Sequence, residues 1–174
     1  MTFPSQNERQ NSDFDKNFEM TRAVDTARAL LDEYWDFNIP ISPEDFARRL
    51  GLNVERIDNL GTKSGYLDKE NRKIYVNAAD VPERQRFTIA HELGHYCLDH
   101  GSSLRDTTMT NWFRVNPVHE RLANEFAAEL LMPAIAMKAM IEVRNIKDPV
   151  TLRQAFGVSS QALYFRLKNL GYIL

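Results

Sequence analysis

The chain has a single cysteine, Cys97, so it cannot close an internal disulfide, which agrees with a reducing compartment. It has no surplus of either charge: 22 Lys and Arg stand against 24 Asp and Glu, a net charge of -2. A broad basic field for nucleic acid is thereby excluded, and any such contact needs a local patch. The opening residues, MTFPSQNERQNSDFDKN, have neither a charged start followed by an apolar stretch nor a small-residue cleavage site. Export is not expected, and a cytoplasmic location is. Long hydrophobic runs are missing too: the most apolar stretch, residues 122–143, is interrupted by Asn124, Glu125, Glu129, Pro133 and Lys138, which are costly in hydrocarbon. No membrane span is expected, and no internal repeat is visible.

What the chain does have is enough apolar content, 43% of 174 residues, for one ordinary domain with a small appended unit. Residues 1–17 are polar with little apolar periodicity, which predicts a tail. Over 18–35 the apolar positions Met20, Val24, Ala27, Leu30, Leu31 and Tyr34 recur at helical spacing. Ser42-Pro43-Glu44-Asp45 opens a second helix that stops at Gly51. The period then changes. Residues 52–57, 64–67 and 73–76 are short β-rich runs, the last two joined by the polar turn 68–72, and they predict a small antiparallel sheet. Pro82-Glu83 begins a helix that Gly101 closes, and residues 101–116 lack a period, which suits a rim or lid anchored by Trp112 and Phe113. Helix signals resume from Pro117 to Met132. Residues 148–174 read as two short helices around the turn Gly157-Val158-Ser159, a small helical unit packed on the rest.

Within the helix that starts at Pro82, His91-Glu92-Leu93-Gly94-His95 sets two histidines one turn apart on a single face. Both imidazoles can then grip one zinc ion while Glu92 reaches a water activated by it. From Thr88 to Leu98 Glu92 is the only acidic residue, and a carboxylate on an otherwise apolar helix face costs free energy unless something offsets it. The competing structural reading is a buried helix whose histidines bond to backbone.

A catalytic zinc needs a third protein ligand and an open position. In the helix from Pro117, the stripe Leu122, Ala123, Phe126, Ala127, Leu130 and Leu131 faces the core, leaving Glu120, Asn124 and Glu125 as the polar positions nearest its edge. Glu120 and Asn124 share a face, so Glu120 suits the metal and Asn124 suits orienting a histidine. His119 is a lesser alternative as ligand or oxyanion donor. His100 lies about 140° round the helix from His95 and suits a solvated or capping role better. Cys97 points away from the histidines and reads as a small buried residue.

Two long motifs in this order, Arg86-Phe87-Thr88-Ile89-Ala90-His91-Glu92-Leu93-Gly94-His95 and Glu120-x-x-Ala123-Asn124-x-Phe126-Ala127-Ala128-x-Leu130-Leu131-Met132-Pro133, resemble the paired signatures of the ImmA/IrrE metallopeptidases. Ser64-Gly65-Tyr66-Leu67 and Ile74-Tyr75-Val76-Asn77 are similar to that family's hairpin, so the resemblance covers roughly residues 20–174. It implies an α+β fold, a mainly helical zincin-like (gluzincin) domain over 18–147 with a C-terminal helix-turn-helix-like pair over 148–174. It also implies His91, His95 and Glu120 as zinc ligands, one ion per chain, with Glu92 as general base; manganese, cobalt or iron also suits such a donor set. The implied substrate is a specific cytoplasmic protein, often a helix-turn-helix repressor whose cleavage releases stress-response or mobile-element genes. Candidate oxyanion donors are Tyr66, His100, His119, Tyr164 and Arg166.

A second reading starts from residues 152–167, which resemble a helix-turn-helix with Arg153, Arg166 and Lys168 placed to meet phosphate. It makes the chain a DNA-binding or partner-binding regulator with a structural zinc, or a toxin-antitoxin component. Against DNA contact, Ala162, Leu163, Phe165, Leu167 and Leu170 commit the last helix to packing.

Overall fold

The computed structural model describes residues 6–58, 60–99 and 116–174. The elements run α1 (Gln6–Tyr34), α2 (Pro43–Arg49), β1 (Asn53–Ile57), β2 (Gly65–Asp68), β3 (Lys73–Asn77), α3 (Pro82–Cys97), α4 (Pro117–Leu131), α5 (Ala134–Lys138) with a π-helical turn Ala139–Val143, α6 (Pro149–Phe156) and α7 (Ser160–Asn169). The fold is α+β and mostly helical. His100 and the expected lid with Trp112 and Phe113 lie outside the described residues.

The helix α1 begins at Gln6, inside the stretch expected to be a tail. Neither Gly nor Pro occurs between Ser5 and Ile39, so nothing in the sequence terminates the helix toward its start. Its buried line is Ala23, Ala27 and Leu31, one turn apart. Two alanines in that line let α1 lie close along α4, its main partner. The start of α2 follows the sequence: the Ser42 hydroxyl accepts from the Asp45 N–H at 3.3 Å and Pro43 occupies the first turn.

The sheet is mixed, not antiparallel as expected, with strand order β1-β3-β2. The hairpin β2–β3 is antiparallel, Gly65 opposite Val76 and Asp68 opposite Lys73. The pair β1–β3 is parallel, Asn53 opposite Lys73 and Ile57 opposite Asn77. Successive strands reverse direction, so the first and third run the same way, and they become parallel neighbours once β3 inserts between β1 and β2. β3 takes the centre because Ile74 and Val76 are its fully buried pair.

A single hydrophobic cluster joins α1, the sheet, α3, α4 and the C-terminal helices through residues such as Leu31, Ile74, Leu93, Phe126, Phe156 and Leu163. The C-terminal pair is built from three caps: Asp148 accepts from Thr151 N–H, Gly157 adopts φ +62° where a side chain would be strained, and Ser159 accepts from Ala162 N–H. Arg86 of α3 donates to the Gly157 carbonyl at 3.1 Å and to the Ile41 carbonyl, tying this turn to the rest. Arg166 is buried, donating to the Met132 carbonyl at 2.9 Å and pairing with buried Glu129. Phe165 is 54% exposed, a departure from the packing role expected of it. Among the described residues, no helix is long and apolar enough to cross a membrane.

Candidate metal centre

Two crossing helices make the centre. α3 contributes His91, Glu92 and His95; α4, capped by the Asn116 side chain on Val118 N–H with Pro117 in its first turn, contributes Glu120 and Asn124. The helices meet closely because Gly94 lies against Ala123: a Cβ on Gly94 would stand 3.0 Å from the Ala123 Cα and 3.2 Å from its carbonyl oxygen. Glu120, three residues before Ala123, is thereby carried to the rim where His91 and His95 emerge.

The Nε2 atoms of His91 and His95 are 3.0 Å apart, and the Glu120 carboxylate places Oε2 3.2 Å from the first and Oε1 3.2 Å from the second. Tetrahedral zinc with bonds near 2.0–2.1 Å holds its ligand atoms about 3.3 Å apart, close to the 3.0 Å between the two Nε2 atoms, and the Glu120 carboxylate faces both of them, one oxygen to each. Among the described residues, this is the group of His, Cys, Asp and Glu side chains able to hold a metal. His119 and Cys97 are not in it.

The tautomer also suits a metal. His91 Nδ1 lies 2.9 Å from Asn124 Oδ1, an oxygen that can only accept, so Nδ1 carries the proton and Nε2 keeps its lone pair for the site. Burial acts to lower the His91 pKa, but Glu120 and Glu92 outweigh it and leave it raised. The adjoining His91 and His95 rings hold the Glu120 carboxyl far below its ordinary range, so it is an anion, the form a metal takes.

Glu92 is only 9% exposed, and that burial raises its pKa against the opposing pull of His91 and His95. The Leu67 backbone N–H also acts to lower it. That donor comes from the outer edge of β2. Asn77 N–H donates to the Ser64 carbonyl at 2.8 Å, which makes 64/77 a bonded pair. By the antiparallel alternation Tyr66 and Asp68 also bond to β3, while Gly65 and Leu67 turn their backbone groups outward. The link from Leu67 to Glu92 has no sequence signature, since it depends on β2 being the edge strand.

Residues 47–168 match the peptidase family M78, described as the IrrE N-terminal-like domain. The chain belongs to this family. Two relatives named radiation response metalloprotease IrrE are similar to it: that of Deinococcus radiodurans is 41% identical over 87 residues, 48% of this chain and 26% of the relative, and that of Deinococcus deserti 43% identical over 79 residues, 43% and 27%. The matched part is about a quarter of those relatives' length. A structure titled Mycobacterium tuberculosis transcriptional regulator shares the fold, with a TM-score of 0.62 at 21% identity over 88% of this chain and 50% of that one. Membership of this family implies a metal, and the His-His-Glu group could hold one.

The remaining candidates from the sequence stand elsewhere. Arg166 is spent on Glu129, so it serves neither an oxyanion nor a phosphate. Tyr164 is half-exposed on α7 in edge contact with Phe165. Tyr66 stacks on Tyr75 with ring centroids 4.8 Å apart, and burial raises its pKa.

Proposed function

We propose that the chain is a zinc-dependent endopeptidase in which His91, His95 and Glu120 hold the ion and Glu92 is the general base. The observation that carries this reading is the convergence of two histidine Nε2 atoms 3.0 Å apart with the Glu120 carboxylate, one oxygen 3.2 Å from each, beside a buried carboxylate of raised pKa. A bound zinc ion supplies Lewis acidity, polarising a peptide carbonyl and acidifying a water. Glu92 takes the proton of the attacking water and later passes it to the leaving amine, a double task that suits a carboxylate whose pKa lies above its usual range. Asn124 holds the His91 ring through Nδ1, and the Glu120 carboxylate would offset the positive charge of the ion.

In this reading the substrate peptide lies extended along the outward edge of β2, near Glu92, where it gains backbone hydrogen bonds from groups such as those of Gly65. The substrate is a cytoplasmic protein, a helix-turn-helix repressor in keeping with the family resemblance, and cleavage removes repression. The domain of 18–147 then holds the zincin-like catalytic unit, with the C-terminal helices packed on it as a docking element. Direct reading of DNA by those helices has less to support it: Arg166 is buried and Arg153 stands 3.6 Å from Glu83.

Co-expression of the chain with the repressor encoded beside it, followed by mass mapping of any cut, tests the activity. Glu92→Gln should bind zinc as the parent does and cut nothing. A repressor cut equally well by that variant would refute the mechanism; salt-dependent duplex binding without proteolysis would favour the regulator.

A further inference from the structure

A cleft of about 750 Å³ runs between the first half of α3, α4 and α7. Phe87 and Ala128 line it on the catalytic helices and Phe165 on α7, and its wall includes Asn124, the side chain that also bonds His91. The cleft and the candidate metal centre thus share a residue. The charges lining the cleft are mostly committed: Arg84 donates to Ser64 Oγ at 2.8 Å and lies 3.5 Å from Asp80, Arg166 is paired with Glu129, and Glu83 faces Arg153. Arg121 is not. Its Nε and Nη2 are buried, and among the described residues neither has an acceptor. Glu125, one turn along α4 and suitably spaced to pair with it, instead accepts from Asn169 at 3.4 Å.

Buried N–H groups of a cation without acceptors carry a desolvation penalty that the fold leaves uncompensated. Nε and Nη2 form the side-on edge of a guanidinium, the pair of parallel donors that grips both oxygens of a carboxylate. Glu83 and Glu125 in the cleft lining disfavour a doubly charged phosphate more than a single carboxylate. We infer that Arg121 is a specificity residue whose Nε–Nη2 edge binds an Asp or Glu side chain of the peptide being cut. This rests on the peptidase reading. The acidic residue enters the cleft past Asn124, and its fixed distance from the scissile bond follows from Arg121 lying next to Glu120 in the chain.

The test is the cleavage of a tryptic digest of a whole proteome by the zinc-loaded full chain, with cut sites read by mass spectrometry. Acidic residues should be enriched at one fixed position. For a peptide cut in this way, replacing its Asp by Asn should lower kcat/KM about 10- to 100-fold with the parent and leave it nearly unchanged with Arg121→Gln. Cutting without acidic enrichment, or the same enrichment with Arg121→Gln, overturns the inference while the peptidase reading stands. Should Arg121→Gln fail to fold, Arg121→Lys, which keeps the charge and loses the fork, takes its place. If no peptide of the digest is cut, the peptidase reading still stands on repressor cleavage, and the Arg121 Nε–H resonance of the 15N-labelled chain decides the subsite. A shift with an Asp-containing heptapeptide but not with its Asn analogue upholds carboxylate binding; no shift overturns it.

Discussion

Replacing Gly94 with Ala sets two physical effects against each other at the point where α3 crosses α4. Helix propensity alone predicts a gain of about 1 kcal/mol, because Gly94 sits in the interior of α3. Packing predicts the reverse. The new Cβ would stand 3.0 Å from Ala123 Cα, 3.2 Å from Ala123 O and 3.2 Å from Phe126 Cδ1. Carbon atoms prefer about 3.5–4.0 Å, and a backbone Cα cannot swing aside as a side-chain end can, so the helices must part by about half an ångström. Overpacking of that kind costs about 1–3 kcal/mol, leaving a net loss of roughly 0–2 kcal/mol without metal. The larger effect falls on the metal. Ligand positions tolerate about 0.2 Å, and Glu120 rides on the displaced helix, so zinc affinity should fall at least about 10-fold. Urea unfolding of the metal-free protein and zinc competition against a chromophoric chelator measure the two terms separately. A Gly94→Ala protein that gains about 1 kcal/mol and binds zinc like the parent would refute the close crossing as what positions Glu120.

The other perturbations address separate parts of the structure. Arg166→Met leaves the Glu129 carboxylate buried with only Arg28 at 3.1 Å and Ala134 N–H at 3.3 Å, and should cost about 3 kcal/mol in urea unfolding. The double variant Arg166→Met, Glu129→Met should cost less than the sum of the two singles, and strict additivity would count against the pair. Asn124→Ala removes the acceptor on His91 Nδ1 and should weaken zinc binding about 10- to 100-fold with an unchanged circular dichroism spectrum. Unaltered affinity would show that the 2.9 Å contact does not orient the ring. Burial pushes the Cys97 thiol from 9.0 up to about 12, so it stays protonated through neutral and mildly basic pH. Iodoacetamide should label it about a thousandfold more slowly in the native protein than after unfolding; equal rates would contradict its burial.

Elements set by local rules were legible in the sequence. The cap Ser42, the turn at Gly157 and the two helices that carry the centre follow from residues a few positions apart. The neighbourhood of His91, Glu120 and Asn124 was legible for a related reason: spacing on each helix selects one face, and the apolar stripe of α4 leaves few polar positions beside it. Features that depend on distant partners were not. The parallel β1–β3 pair required knowing that β3 sits between the other strands, which no hairpin signal contains. Arg166, near the end of the last helix, reads as a phosphate contact or oxyanion donor until Glu129, 37 residues earlier, is brought against it. Phe165 stands beside that buried arginine and faces outward because Leu163, Arg166 and Leu167 take the inner side of α7.

α4 shows why the site and the core cannot be separated energetically. Its first turn presents Glu120 and, one turn on, Asn124; its middle, Ala123 with Phe126, meets Gly94 of α3; its last turns bury Glu129 between Arg166 of α7 and Arg28 of α1. A buried ion pair contributes little net stability compared with an apolar contact of the same volume, so Glu129 is a poor choice if stability is the only requirement. Its geometry does something an apolar contact would not: a carboxylate that must satisfy donors from α1, α7 and the Ala134 backbone fixes the axial position of α4 against both neighbours. An apolar surface permits sliding along the helix axis at small cost, whereas lost hydrogen bonds to a buried charge do not. Glu120 stands on the same rigid helix, nine residues before Glu129, and metal ligation tolerates only about 0.2 Å of displacement. The polar cluster at one end of α4 therefore serves the register of the donor set at the other.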